Sequence, residues 1–67
     1  MLSARNQLRG TVKTIVLGEV MAEVAIELST GETITSVITR GSAENLDLRP
    51  EDEVTAIIKA TEVLVEK

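Results

Sequence analysis

Apolar residues recur at every second position along much of this chain, the period of a β-strand with one buried face. Leu8, Gly10, Val12 and Thr14 alternate with Arg9, Thr11 and Lys13. Val20, Ala22, Val24, Ile26 and Leu28 alternate with Met21, Glu23, Ala25 and Glu27, so this second run has an apolar face and a face carrying Glu23 and Glu27. The break at Leu17-Gly18-Glu19 predicts a hairpin between the two runs. Ser29-Thr30-Gly31-Glu32 predicts a turn in which Gly31 takes positive φ. Residues 33–39 are β-branched almost throughout and predict a third strand.

The period then changes. Ser42-Ala43-Glu44-Asn45-Leu46 predicts one short helix, with Ser42 as N-cap and Glu44 in a first turn that favours negative charge. Leu46 and Leu48 would pin it to the core. Arg49-Pro50-Glu51-Asp52 predicts a turn with Pro50 well placed. Residues 53–60 predict a fourth strand and residues 61–66 a fifth, with a bend near Ala60-Thr61. Three strands, a helix and two strands is the element order of an OB-like barrel. The expectation is an all-β chain: a single OB-like five-stranded barrel with one short helix between strands 3 and 4, forming one domain over residues 1–67.

Composition narrows what such a barrel can do. The 67 residues include no Cys, His, Phe, Tyr or Trp. That excludes disulfides, thiolate metal sites and redox pairs. It removes the commonest transition-metal ligand and the commonest general base at neutral pH. No aromatic ring is present on which a nucleobase or a pterin could stack. Net charge is −4, from 7 Lys+Arg against 11 Asp+Glu, which opposes general nucleic-acid binding and binding to anionic membranes. No apolar run approaches the roughly 20 residues of a membrane span, and the start lacks a signal-peptide core. A cytoplasmic location is expected. A chain this short, without aromatic side chains, has too little core to be comfortable alone, so oligomerisation is expected as well.

Three short constellations carry candidate chemistry. Ser3-Ala4-Arg5-Asn6 gathers a hydroxyl, a guanidinium and an amide, donors suited to an oxyanion, or forms a polar lead-in to the first strand. Thr39-Arg40-Gly41-Ser42 stands at the helix start, where free backbone N–H groups and two hydroxyls suit an anion; plain N-capping explains Ser42 equally. Lys59-Ala60-Thr61 interrupts an apolar strand with a cation, which can also serve as an edge charge against aggregation. Glu51-Asp52-Glu53 fits a solvated turn better than a hard-cation site. EF-hand and Gly-rich phosphate loops are absent, and catalysis has no support.

Taken together and in this order, Ser3-Ala4-Arg5-Asn6-Gln7-Leu8-Arg9-Gly10, Ile38-Thr39-Arg40-Gly41-Ser42 with Leu46 and Leu48, and Val54-Thr55-Ala56-Ile57-Ile58-Lys59-Ala60-Thr61 resemble the Mop, or molbindin, family of small molybdate-binding proteins. The resemblance spans essentially the whole chain. It implies an OB-like fold of the TOBE/Mop type, a homo-oligomer (a hexamer built from dimers or trimers) and oxyanion sites between subunits. It further implies that Ser3, Arg5, Thr39, Ser42, Lys59 and Ala60 contact the anion, Ala60 through its backbone. The implied ligand is molybdate or tungstate, with no conventional cofactor, no metal-ion site and no catalytic residue.

Those residue types suit a tetrahedral dianion, which offers only acceptors at neutral pH. A site built only of donors disfavours monohydrogen phosphate, whose own proton would lack an acceptor. The expected role is cytoplasmic molybdate storage or homeostasis. The competing expectations are a structural module or a nucleic-acid-binding OB-fold module without a specific oxyanion.

Overall fold

A computed structural model describes residues 5–67. Four strands, β1 (Asn6–Leu17), β2 (Met21–Leu28), β3 (Thr33–Thr39) and β4 (Glu53–Ile58), form one antiparallel sheet in the order β3-β2-β1-β4. Helix α1 (Arg40–Asn45) links β3 to β4, and a 3-10 turn, Ala60–Glu62, follows β4. The sheet curls into an open half-barrel with Val12, Val24, Ile26 and Ala56 at its centre. Val12 is wholly buried.

The alternation in β2 is realised as read: Ala22, Val24 and Ile26 are buried while Glu23 and Glu27 face outward. Val20 departs from it. It lies in the bend before β2 and is 71% exposed. In β1 the alternation slips by one residue. The ladder to β2 passes from Val12↔Ile26 to Thr14↔Ala25, leaving Lys13 as the extra residue of a bulge. Beyond it Ile15, not Thr14, is partly buried against the core, and the strand runs on to Leu17. The Lys13 ammonium reaches Glu27 at 3.7 Å and Glu51 at 3.6 Å, tying the bulge to two neighbours.

Gly31 takes φ +94° in the β2–β3 turn, as its position required. The turn before β4 closes through Arg49 N–H donating to the Asp52 carboxylate at 2.9 Å and Asp52 N–H donating to the Arg49 carbonyl at 3.1 Å. It is sewn to β1 by Glu51 N–H on the Val12 carbonyl (2.7 Å) and Val12 N–H on the Asp52 carbonyl (2.9 Å).

Leu46, expected to pin the helix to the core, is 66% exposed, and only Leu48 of the two packs against the core. Two further expectations need correction. The helix starts earlier than Ser42. Thr39, with φ −71° and ψ 149°, is the N-cap, and Ser42 lies inside the first turn. Glu44 consequently falls outside the first turn and instead faces Arg40 one turn back, at 3.7 Å. The second correction concerns the fifth strand. Among the described residues no strand forms after Ile58, so the closed five-stranded barrel is replaced by a four-stranded open sheet with one short helix between β3 and β4. A tight hairpin needs turn residues that accept positive φ. Lys59-Ala60-Thr61 supplies none, and the chain makes a 3-10 turn there. No helix among the described residues is long and apolar enough to cross a membrane.

Candidate functional site

The β1–β4 ladder ends at the pair Asn6↔Ile58. The next residue outward on β1 is Arg5, and the next on β4 is Lys59. Two cations therefore occupy neighbouring positions at one end of the sheet, and both are exposed. Ala60 adjoins Lys59 and opens the 3-10 turn, so its N–H has no acceptor within that turn. The Ala60 carbonyl accepts Val63 N–H at 3.3 Å.

Other cations of the chain are matched with carboxylates. Arg9 meets Glu53 at 3.0 Å, Lys13 meets Glu27 and Glu51, Arg40 meets Glu44, and Arg49 meets Asp47 at 3.3 Å. Among the described residues Arg5, Lys59 and the last residue, Lys67, have no such partner. Like charges side by side repel, and in an acidic chain carboxylates were available to offset them. An unmatched cation pair at one sheet end is the arrangement a dianion would neutralise. The Arg49–Glu53 turn carboxylates do not form a rival cation site. Asp52 caps a backbone N–H, while Glu51 and Glu53 face Lys13 and Arg9. Among the described residues no cluster of acidic side chains could hold a metal ion.

Thr39 and Ser42 lie at the other end. Thr39 pairs with Met21, at the opposite end of the ladder from β1's start. Its Oγ accepts Ser42 N–H at 3.0 Å and donates to Ser42 Oγ at 2.8 Å. The hydroxyl of Thr39 is thus committed to the cap, while that of Ser42 still has its own hydrogen to donate. Arg40 anchors the helix start to the β1–β2 loop: its N–H reaches the Val20 carbonyl at 2.7 Å and its guanidinium the Gly18 carbonyl at 3.2 Å.

Within one chain, then, Arg5, Lys59 and Ala60 lie just beyond the last pair of the β1–β4 ladder, Thr39 and Ser42 are hydrogen-bonded to each other, and the two groups stand at opposite ends of the sheet. Ser3 lies outside the described residues. Sequence reasoning missed the adjacency of Arg5 and Lys59, because strand register across 44 or more residues is not written in local pattern (Arg9 bonding Glu53 shows the separation). The period-2 runs at both places were the available signal.

The curled four-stranded sheet, with exposed guanidinium, ammonium and hydroxyl donors at its ends, has the form of a small binding module. The TOBE domain family matches residues 2–65, and the chain belongs to that family, in its Mop (molbindin) group. It is 44% identical over 64 residues to molybdenum-pterin-binding protein 3 of Clostridium pasteurianum, covering 96% of this chain and 94% of that protein. It superposes with a TM-score of 0.95 on a molybdate-binding protein from Sporomusa ovata, 46% identical, over 100% of this chain and 98% of the other. The cytoplasmic molybdate-binding protein ModG, solved with molybdate bound, superposes at a TM-score of 0.86 and 50% identity, over 90% of this chain but 43% of ModG.

Proposed function

We propose that this chain, acting as one domain over residues 1–67, is a cytoplasmic binding protein for molybdate or tungstate and not an enzyme. The observation that carries the reading is the unmatched pair Arg5 and Lys59 at the end of the β1–β4 ladder. Relatives described as molybdate-binding give the anion its identity. Arg5 supplies a planar fork of donors, Lys59 a point charge, and Ala60 a backbone N–H. At the far end of the sheet Ser42 supplies a hydroxyl hydrogen, Thr39 takes part as the residue whose Oγ holds Ser42, and Ser3 belongs to the same ligand set.

Because the two groups lie at opposite ends of one sheet, one anion touches both only if two chains contribute. Sites between subunits of a homo-oligomer, a hexamer in the fullest form of this reading, follow from that geometry and from the small core. The role proposed is storage or homeostasis of the oxyanion.

Isothermal titration with molybdate, tungstate, sulfate and phosphate tests it, on the native chain and on Arg5→Ala and Lys59→Ala. Molybdate and tungstate should bind tightly, phosphate weakly, and both variants should lose at least tenfold in affinity. Equal affinity for all four anions, or undiminished binding in both variants, would remove Arg5 and Lys59 from the site. Light scattering on the native chain reports whether it is a hexamer.

A further inference from the structure

The connection between β1 and β2 is short, Gly18-Glu19-Val20. Gly18 N–H on the Met21 carbonyl closes it at 2.8 Å, and Val20 is exposed, so little packing holds the loop in place. Its Gly18 and Val20 carbonyls nevertheless have donors, and one residue supplies both. Arg40 donates its backbone N–H to the Val20 carbonyl at 2.7 Å and its guanidinium to the Gly18 carbonyl at 3.2 Å. Glu44, one turn on, stands 3.7 Å from the same guanidinium and steadies it.

Arg40 sits between Thr39 and Ser42 in the chain, where the helix has little strength of its own. α1 is 6 residues long, and a helix this short depends on tertiary contacts. Gly41, inside its first turn, lowers helix propensity further, and Ala43 is its buried residue. The bonds from Thr39 Oγ to Ser42, 3.0 Å to the N–H and 2.8 Å to Oγ, hold only while the backbone of residues 39–42 keeps its course. Three contacts fix that course from outside the helix: the Met21↔Thr39 pair of the ladder, the Arg40 N–H and the Arg40 guanidinium. Any residue with a backbone N–H at position 40 keeps the first two. Only the third depends on the side chain.

The guanidinium contributes position and little else. Residues two apart on a helix do not share a face, so it is not aimed at the Ser42 hydroxyl. Its charge already faces Glu44, which offsets any pull on a distant anion.

We propose that Arg40 is the positioning residue of the Thr39–Ser42 pair: its guanidinium clips the β1–β2 loop to the start of α1 and so keeps Ser42 Oγ where its hydrogen reaches the anion. The proposal rests on the molybdate reading above and adds to it a residue that touches no ligand.

Arg40→Met keeps the side chain's length and removes its donors and charge, whereas Arg40→Lys keeps a donor and the charge. Molybdate titration of the native chain and both variants in about 0.05 M and about 0.5 M salt separates position from charge, because the Debye length falls from about 14 Å to about 4 Å between them. Arg40→Met should bind about tenfold more weakly at both salts, the lower end of what is lost when the partner that orients a metal ligand is removed. Arg40→Lys should regain most of that loss. Without ligand, amide exchange corrected for intrinsic rates should quicken about tenfold at residues 40 and 42 in Arg40→Met and stay native at buried Val24, which marks a local clip and not a general loss of stability. Native affinity in Arg40→Met, no recovery in Arg40→Lys, or a difference that vanishes in the higher salt each overturns the proposal. So does exchange that is unchanged at residues 40 and 42 or that quickens equally at Val24. A native chain that takes up no molybdate removes the molybdate reading and this proposal with it. A native chain that binds while Arg40→Met binds equally well removes this proposal alone.

Discussion

A Cβ placed on Gly10 of β1 would stand 2.6 Å from Ile26 Cγ2 of β2, so the two strands approach there as only glycine permits. The Ile26 methyl can swing aside. The Glu27 carbonyl oxygen, 2.8 Å away on the other side, belongs to the sheet ladder and cannot. Gly10→Ala is therefore an overpacking change at the centre of the sheet and should cost about 1–3 kcal/mol. Urea unfolding at one fixed protein concentration measures it. A loss below about 0.5 kcal/mol would mean that the β1–β2 approach relaxes freely.

Thr39 and Ser42 share a cap, but they do not share its burden. Thr39 Oγ accepts the Ser42 N–H, so Thr39→Ala should cost about 0.5–2 kcal/mol, the usual worth of an N-cap. Ser42→Ala keeps that bond and loses only a hydroxyl on an exposed helix face, a change worth about 0.5 kcal/mol or less. In molybdate titration the order should reverse in meaning, with Ser42→Ala weakening binding at nearly native stability. Native affinity in Ser42→Ala would take Ser42 out of the ligand set.

The strands and turns were largely legible because each is fixed by short-range pattern. The apolar face of β2, Gly31 at its turn and the Arg49-Pro50-Glu51-Asp52 turn all follow from neighbours a few residues apart. What escaped was set at longer range. The bulge at Lys13 shifts β1 by one residue against Ile26 and Ala25 of β2, partners that no pattern within β1 itself reveals. The fifth strand escaped because an apolar alternating run states that a segment can pair, not that a partner edge lies within the same chain. The site was half legible: the donors were recognisable as residue types in a family pattern, while the ladder that sets Arg5 beside Lys59 and leaves Thr39 at the far end was not.

Glu51 holds φ +76°, a left-handed conformation that costs a side-chain-bearing residue about 1–2 kcal/mol. It sits directly after Pro50, where a type II turn favours glycine. Two variants separate this strain from the exposed ion pair with Lys13, itself worth at most about 1 kcal/mol. Both Glu51→Ala and Glu51→Gly lose the pair, and only the second relieves the strain. Glu51→Gly should be more stable than Glu51→Ala by about 1 kcal/mol, read from thermal or denaturant unfolding. Equal stabilities would show that the turn relaxes to negative φ.

Lys59 should reveal its purpose through a reversal of sign. Beside Arg5 and without a carboxylate partner among the described residues, it offers the anion-free fold repulsion and no compensating contact. The groups are exposed, so the repulsion is screened and amounts to a few tenths of a kcal/mol at low salt. Lys59→Gln should accordingly be as stable as the native chain without ligand, or slightly more stable in dilute buffer, with the advantage fading in about 0.5 M salt as the Debye length shortens. Molybdate should invert the comparison. At a hundredfold excess over its dissociation constant a ligand adds about 2.7 kcal/mol to the state that binds it, and the native chain should gain this while Lys59→Gln gains little. Thermal unfolding of both chains, with and without molybdate and at matched protein concentration, gives all four values. If Lys59→Gln is markedly less stable without ligand and responds to molybdate like the native chain, Lys59 is an edge charge that guards the sheet and the anion lies elsewhere.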